Sequence, residues 1–494
     1  MTDQATRHRE QLCTLWPTMT TKSVSGPLAD RTVVVLHSVG FEFPAHLQHV
    51  VPAYEERFLC AILSLLRQPK GRVIYLSSLP LLPRLVDYYF NLAPNLQQHD
   101  LRDRLSLVSV GDGSSKPLTR KIVERPRMIE RIRASIPDVR RALLLPFWTS
   151  QDEIALGQAL DVPVYGHDPA LSWMGTKTGG RRIFADQGVE HAPGVEGVRS
   201  LDDVVEAIRQ LRTSGEDAFV VKLDDSAGGL GNGSVRLHGA TTPDEIGERV
   251  RAIELDDPDE SFERYLELLA TQGGVVELRL SGDEVRSPSV QMRIDPEGRA
   301  EVLSTHDQLL GGANGLTYLG CRFPADPAYA KEITEQARTI AKRLAFEGAL
   351  GRFSIDFVTV RRGDRWDVYA IEVNLRNGGT THPMLTLLSL TDGEYDPETA
   401  AFRTPDGQSK HYVASDHVEA AGYERLTPDD LLDLAQGELH WDEEALKGVA
   451  FHLVSAIAAA GRTGVTVVGD TPAEAERRYR RVVEVLDRES AARG

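Results

Sequence analysis

From Arg31 onward the chain alternates short β-branched runs with stretches of helical periodicity. Residues 32–36 read as a strand. After Pro52, Phe58, Leu59, Ile62, Leu65 and Leu66 fall on one helical face, with the proline suited to a first turn. Residues 72–76, 106–110 and 141–145 continue the strand series and 162–165 close it, which predicts a parallel α/β domain over 31–172. Residues 1–30 are polar and carry Pro17, Gly26 and Pro27 without clear periodicity, the pattern of a loosely held arm. After Trp173 the strands come in adjacent pairs: 219–223 with 234–237, 289–294 with 300–305, and 353–360 with 366–374. Short turns such as DPEG and RRGDR join the last two pairs, so these read as antiparallel hairpins. Helices at 202–212, 261–271 and 328–345 are interleaved, and Thr471, Pro472 and Glu474 mark the start of one more, giving α+β organisation.

Three stretches on this frame carry chemistry. Residues 226–233, SAGGLGNG, place four glycines in six positions, so backbone amides can approach a phosphate without Cβ obstruction. Lys222 precedes the loop on a strand whose Phe219, Val221 and Leu223 take the opposite face by the period-two rule. The loop lies between strands and no GK[ST] string occurs, so it is neither a Walker A element nor a dinucleotide fingerprint. The second stretch is the hairpin bearing Asp356, Glu372 and Asn374. Their apolar neighbours Phe353, Ile355, Phe357, Ile371 and Val373 alternate against them, and Asp364 sits eight residues from each carboxylate, so antiparallel pairing brings the two acids nearly opposite. Two like charges so placed are destabilising unless a cation lies between them, and two carboxylates with an amide suit Mg²⁺. The third is Arg376 followed by NGGTTHP, in which Gly378, Gly379 and Thr380 read either as an anion nest or as a tight turn. The basic run from Arg120 to Arg141 reads as a solvated helix face, and His306 as a structural histidine before a substrate contact. No GxSxG, HExxH or clustered Cys/His set supports a nucleophilic hydrolase or a zinc enzyme.

Composition narrows the partners. Of 494 residues, 41% are hydrophobic and 26% charged, which excludes wholesale disorder. With 56 basic against 73 acidic residues the formal charge is -17, a field that disfavours general binding of nucleic acid or anionic membrane while allowing a local anion site. Three widely separated cysteines, Cys13, Cys60 and Cys321, read as reduced thiols of a cytoplasmic protein. The start lacks an apolar signal core, and the apolar stretch 449–460 is too short to span a bilayer.

Taken in order, these pieces resemble the ATP-grasp superfamily. The resemblance implies ATP and Mg²⁺ as cofactors, with Lys177 and Lys222 as the two nucleotide lysines and Ser226, Gly228, Gly229 and Gly231 in the loop that covers the phosphates. It also implies an adenine hinge in VVELRLSGDEV, with Glu277 beginning the strand, the backbone at Arg279 and Leu280 facing the base, and Glu284 as the ribose acid. Asp356, Glu372 and Asn374 match the metal ligands and Arg376 the phosphate-contacting arginine. The expected fold is an ATP-grasp fold, α/β and α+β: the N-terminal parallel α/β domain, ATP-grasp subdomains over 173–280 and 281–390, and a C-terminal region over 391–494. EVRSPSVQ, STHDQLLGG, LGCRFPA and EVNLRNGGTTHP are most similar to a bacterial group of peptide ligases of the pheganomycin type. That likeness implies a carboxylate–amine ligase working through an acyl phosphate, with a small-molecule guanidino acid as donor and a peptide or other amine as acceptor. Ser289, Gln291, His306 and Asp307 are then candidate substrate contacts, with Gly378, Gly379 and Thr380. One departure is Ser354, where several amino-acid ligases of the superfamily carry an arginine; Arg352 or Arg322 is then the expected substitute. A small-molecule kinase and a nucleotide-binding protein without turnover are the competing readings, and the sequence leaves open whether the chain forms a homo-oligomer.

Overall fold

The computed structural model describes residues 3–20, 30–40, 45–66, 70–92, 98–213, 215–226, 231–257, 259–312 and 315–493. Gly228 and Gly229 of the glycine-rich loop therefore lie outside the described residues.

The N-terminal strands are parallel, in the order Leu105–Ser109, Arg72–Ser77, Thr32–Leu36, Ala142–Pro146. Val33, Val35, Val73 and Tyr75 bury one face against the helices Leu59–Leu66 and Pro83–Asn91, while Val34, Leu36, Ile74 and Leu76 bury the other with Leu118, Ile132 and Leu156. Both faces are covered, which is why these strands read as unbroken apolar runs rather than as alternating ones. Residues 162–165, expected as a closing strand, contribute a single bridge from Val164 to Leu144. The arm expected at the N-terminus is instead a helix over Asp3–Thr20, which buries Leu12, Leu15 and Trp16 in the core of this domain. Pro17 inside that helix and its many polar residues hid the periodicity.

Among the described residues the rest of the chain builds three antiparallel sheets. In the five-stranded one the order is Gly194–Val198, Gly274–Leu278, Ala218–Leu223, Asn232–Arg236, Glu254–Leu255. Its Phe219↔Val235 pairing is the hairpin expected around the glycine loop. In the ten-stranded one the hairpin Gly351–Arg362 with Arg365–Asn374 lies beside Pro288–Ile294, and the sheet continues through Ala300–Gly311 and Thr317–Phe323 into His411–Glu419, Arg462–Gly469 and Lys447–His452. The strands of the C-terminal region and those of the 281–390 segment thus belong to one sheet. The helix Pro327–Phe346 packs Ile333, Ala337, Ile340 and Leu344 on Val290, Met292, Phe353 and Ile355 of this sheet. None of its helices is long and apolar enough to cross a membrane, among the described residues. Cys13, Cys60 and Cys321 form no disulfide.

Because Ile340 is fully buried between helix and sheet, Ile340→Ala should destabilise the protein by about 2–5 kcal/mol. The check is a lowered thermal transition with an unchanged far-ultraviolet spectrum below it.

Candidate active site

The site is built on a register. The hairpin turns at Gly363 and Asp364, with Arg362 paired to Arg365, and pairing runs regularly to Phe357↔Ala370. There the register shifts: Ile371 is left over, and the next pair is Asp356↔Glu372, followed by Ile355↔Val373 and Ser354↔Asn374. Without that bulge Asp356 would stand opposite Ile371, and the polar residues of the two strands would face opposite sides. With it, Phe353, Ile355, Phe357 and Val373 fill the core while Ser354, Asp356, Glu372 and Asn374 line a cavity of about 740 Å³.

Around Asp356 the hydrogen bonds are dense. Its Oδ1 accepts from Ser289 Oγ at 2.6 Å and its Oδ2 from Asn374 Nδ2 at 3.0 Å, while Arg376 donates to Asn374 Oδ1 at 3.1 Å. Burial, reinforced by the Glu372 charge, raises the Asp356 carboxyl to about 6. Lys177 pairs with Glu372, its Nζ 2.6 Å from Oε1, and it also donates to the Ser226 carbonyl at 3.4 Å. It is the first residue of the helix Lys177–Asp186, whose N-cap Thr176 accepts from the Gly179 amide. Two half-buried carboxylates and an amide on one surface are a hard-oxygen donor set, and these side chains fit a Mg²⁺ ion.

A second charged cluster lies on the five-stranded sheet. Glu277 joins Lys222 Nζ at 2.5 Å and Arg181 Nη1 at 2.9 Å, and Arg181 also reaches Glu196 at 2.5 Å. Burial alone would raise the Glu277 carboxyl, but the Lys222 and Arg181 charges overcome it and hold it below the usual carboxylate range. Glu277 does not begin its strand; it is the fourth residue of Gly274–Leu278, and its carboxylate anchors Lys222. Val220, Leu278, Arg279 and Leu280 complete this wall, and Arg279 donates to Ser234 Oγ at 3.2 Å. At the end of the loop Gly231 has φ +88°, and an added Cβ would lie 2.8 Å from Ser226 Cβ, so glycine is required there.

The remaining candidates divide. Ser289, Gln291, Asp307, Arg322, Arg376, Gly378, Gly379 and Thr380 line the cavity. Asp307 is committed to the Tyr329 hydroxyl at 2.6 Å and the Asp326 amide at 3.0 Å, and Arg322 to Glu476. Three candidates lie off the cavity wall. Glu284 is half-buried and tied to Arg286 and Arg361, of which Arg286 lines the cavity. His306 is fully buried in an aromatic cluster, 2.6 Å from the Tyr412 hydroxyl, and burial pushes its imidazole down to about 3. Asp307, the next residue, lines the cavity, whereas the His306 ring is turned to Tyr412 and Phe323. Arg352, two pairs further along the strand than Ser354 is from Asp356, sits by Arg293 and Tyr165, its guanidinium lowered to about 10 mainly by burial. The basic run is largely paired, Arg120 with Asp152, Arg125 with Asp112 and Arg140 with Asp138.

Sequence reasoning missed the wall opposite the hairpin, where Tyr54, Arg57, Phe147 and Trp148 of the N-terminal domain meet Asp416 and Arg462. No motif marks these residues. Behind them His382, Asp416 and His452 bring their polar atoms together, the two Nε2 atoms 3.0 Å apart and 3.1 and 2.7 Å from Asp416 Oδ1. Arg57 holds the other oxygen at 2.7 Å, so the Asp416 charge is already matched, and burial pushes the His382 imidazole down to about 3.

Comparison with known proteins places this arrangement. Residues 257–398 match the family model "IQCH-like, ATP-grasp", and 431–482 match "PGM1 C-terminal domain". Solved structures with the same fold include a biotin carboxylase complex from Campylobacter jejuni, at TM-score 0.56 and 13% identity over 90% of this chain and 89% of that one. Another is a carboxyaminoimidazole ribonucleotide synthase from Aspergillus clavatus complexed with ATP, at TM-score 0.51 and 13% identity over 93% and 99%. The fold is ATP-grasp. Among curated relatives, the L-propargylglycine–L-glutamate ligase of Streptantibioticus cattleyicolor is 30% identical over 87% of this chain and 88% of its own. IQ motif-containing protein H of Danio rerio is 24% identical over 81% of this chain, which spans 42% of that protein. The chain belongs to the ATP-grasp carboxylate–amine ligases, ATP-dependent enzymes that form C–N bonds with release of ADP.

Replacing Glu277 by glutamine leaves Lys222 and Arg181 facing an uncharged group and should cost about 3–5 kcal/mol at neutral pH. The Glu277 carboxyl is depressed in the folded state, so its contribution is complete above the unfolded value of about 4.3 and is lost as pH falls through the folded one. Melting temperatures of the wild type and Glu277→Gln should therefore converge on acidification.

Proposed function

We propose that the protein activates the carboxylate of a small amino acid as an acyl phosphate and joins it to the amine of a second amino acid or a peptide, in the assembly of a natural product. The observation that carries this reading is the facing Asp356–Glu372 pair on one cavity with Lys222 and Arg376, Glu372 being held by Lys177. The propargylglycine–glutamate ligase that is 30% identical supports amino-acid substrates on both sides of the bond.

In this reading Lys177 and Lys222 hold the phosphates of ATP, the 226–233 loop covers them, and the backbone at Arg279 and Leu280 flanks the adenine. Asp356, Glu372 and Asn374 would hold Mg²⁺, which when bound neutralises charge on the phosphate oxygens. A carboxylate oxygen attacks the γ-phosphorus and ADP leaves. The amine nitrogen then attacks the acyl carbon, the carbon–oxygen bond to phosphate breaks, and the amine gives up a proton. Arg376, beside the metal ligands, stabilises charge on the transferring phosphoryl and on the tetrahedral oxyanion that follows. An enclosed cavity matters because an acyl phosphate exposed to water hydrolyses. A guanidino donor, expected from the sequence, would need a free acid on the wall. Asp307 is committed to Tyr329 and Asp326, and arginines dominate the opposite side, so we favour a donor without that group.

The test is product analysis with Mg²⁺-ATP and pooled proteinogenic and unusual amino acids and short peptides. ADP, phosphate and a new mass equal to two substrates minus water are expected; AMP with pyrophosphate would overturn the acyl phosphate, and a stable phosphorylated substrate would establish a kinase instead. Glu372→Ala should abolish turnover with the fold retained, and near-wild-type activity would remove the metal assignment.

A further inference from the structure

An acceptor amine attacks as a neutral nitrogen, and the adduct it forms carries an acidic N–H whose proton must be taken up before the amide is complete. Several acids line the cavity, and each is already committed. Asp356 and Glu372 belong to the proposed metal set, Glu277 is tied to Lys222 and Arg181, and Asp307 to Tyr329 and Asp326. Asp416 takes Arg57 on one oxygen and His382 and His452 on the other. Among the described residues of the cavity wall there is one histidine, His417.

A bulge brings it there. Where His411–Glu419 pairs with Arg462–Gly469, Ser415 stands opposite Val465 and Val418 opposite Thr463, so Asp416 and His417 together face the single residue Gly464. A bulge of this kind re-aims side chains, and both of its residues line the cavity. A Cβ on Gly464 would lie 2.2 Å from the His452 ring, so the glycine makes room for the imidazole that fixes Asp416. His417 has no such anchor. Its backbone amide donates to Ser415 Oγ at 2.9 Å, while its ring Nδ1 is buried with no hydrogen-bond partner. A ring left in that state has an acceptor to offer an incoming N–H. Burial and the Arg462 charge hold the imidazole below its ordinary value against the opposing pull of Asp416, Glu419 and the Leu319 carbonyl, so the ring is neutral at physiological pH. We propose that His417 is the general base of the amide-forming step. As the amine nitrogen closes the C–N bond and the C–O bond to phosphate breaks, the N–H proton passes to the imidazole, which releases it to solvent. Repulsion by Arg462 favours that release. The inference rests on the ligase reading above and adds to it the residue that serves the second half-reaction.

The test separates the two half-reactions and uses the substrate pair that gives most product in the screen. Hydroxylamine attacks acyl phosphates in free solution without a base, so the hydroxamate it forms reports carboxylate activation alone. His417→Gln should lower kcat for amide formation about a hundredfold or more, while hydroxamate formation from the same carboxylate and KM for ATP stay within about twofold. Added imidazole should restore part of the amide rate to His417→Ala and leave the wild type unchanged. Equal loss of both rates, or an amide rate in His417→Gln within about threefold of the wild type, would overturn the base. If His417→Gln fails to fold, His417→Asn is judged by the same two rates. A wild type that forms neither amide nor hydroxamate with any pooled carboxylate ends the ligase reading and the base together, whereas hydroxamate and amide rates that fall in parallel end the base and leave the ligase standing.

Discussion

The cavity depends on one extra residue in one strand. Ile371 has no partner across the hairpin, and its insertion moves Glu372 opposite Asp356 and turns Asn374 to the same side. The polar face of the hairpin follows from that shift. The two carboxylates stand on directly paired residues, half-buried, so each feels the other's charge. The raised Asp356 carboxyl is the signature of that conflict. The chain answers part of it with Lys177, the first residue of the helix Lys177–Asp186.

Local pattern carried much of this. Alternation exposed the hairpin faces, and the distance of eight residues from Asp364 to each acid gave the right pairing, although for an incomplete reason. The true turn centres between Gly363 and Asp364, and a regular ladder from there would have missed by one; the bulge restores the match. Lys222 was legible because its strand alternates cleanly, and Lys177 only through resemblance. The partners of Glu277 and Glu284 needed a third dimension. Glu277 ties two cations, and Glu284 is held by Arg286 and Arg361. His306 pairs with Ser289 across the sheet, yet its ring is buried against Tyr412 and Phe323 rather than on the cavity wall. The N-terminal helix was hidden because its apolar residues, Leu12, Leu15 and Trp16, are few and a proline follows them at once.

The wall opposite the hairpin was invisible to the sequence for a different reason. Arg57, Trp148, Asp416 and Arg462 belong to segments that meet only in the folded chain, and none sits in a recurring string. The nucleotide side of an ATP-grasp enzyme performs one task and is written in short motifs. The opposite side is shaped by whichever molecules are to be joined, so its residues are drawn from distant parts of the chain and carry no common spelling.

The continuity of the ten-stranded sheet has a practical side. Thr317–Phe323 pairs with His411–Glu419, so a chain cut near residue 390 would lose that neighbour and bare a row of unpaired amides and carbonyls along Thr317–Phe323. An open edge of that kind recruits other chains. Fragments intended to isolate the nucleotide-binding part would therefore tend to aggregate, and subunit-swapping between related ligases would succeed at the junction with the parallel sheet rather than within this one.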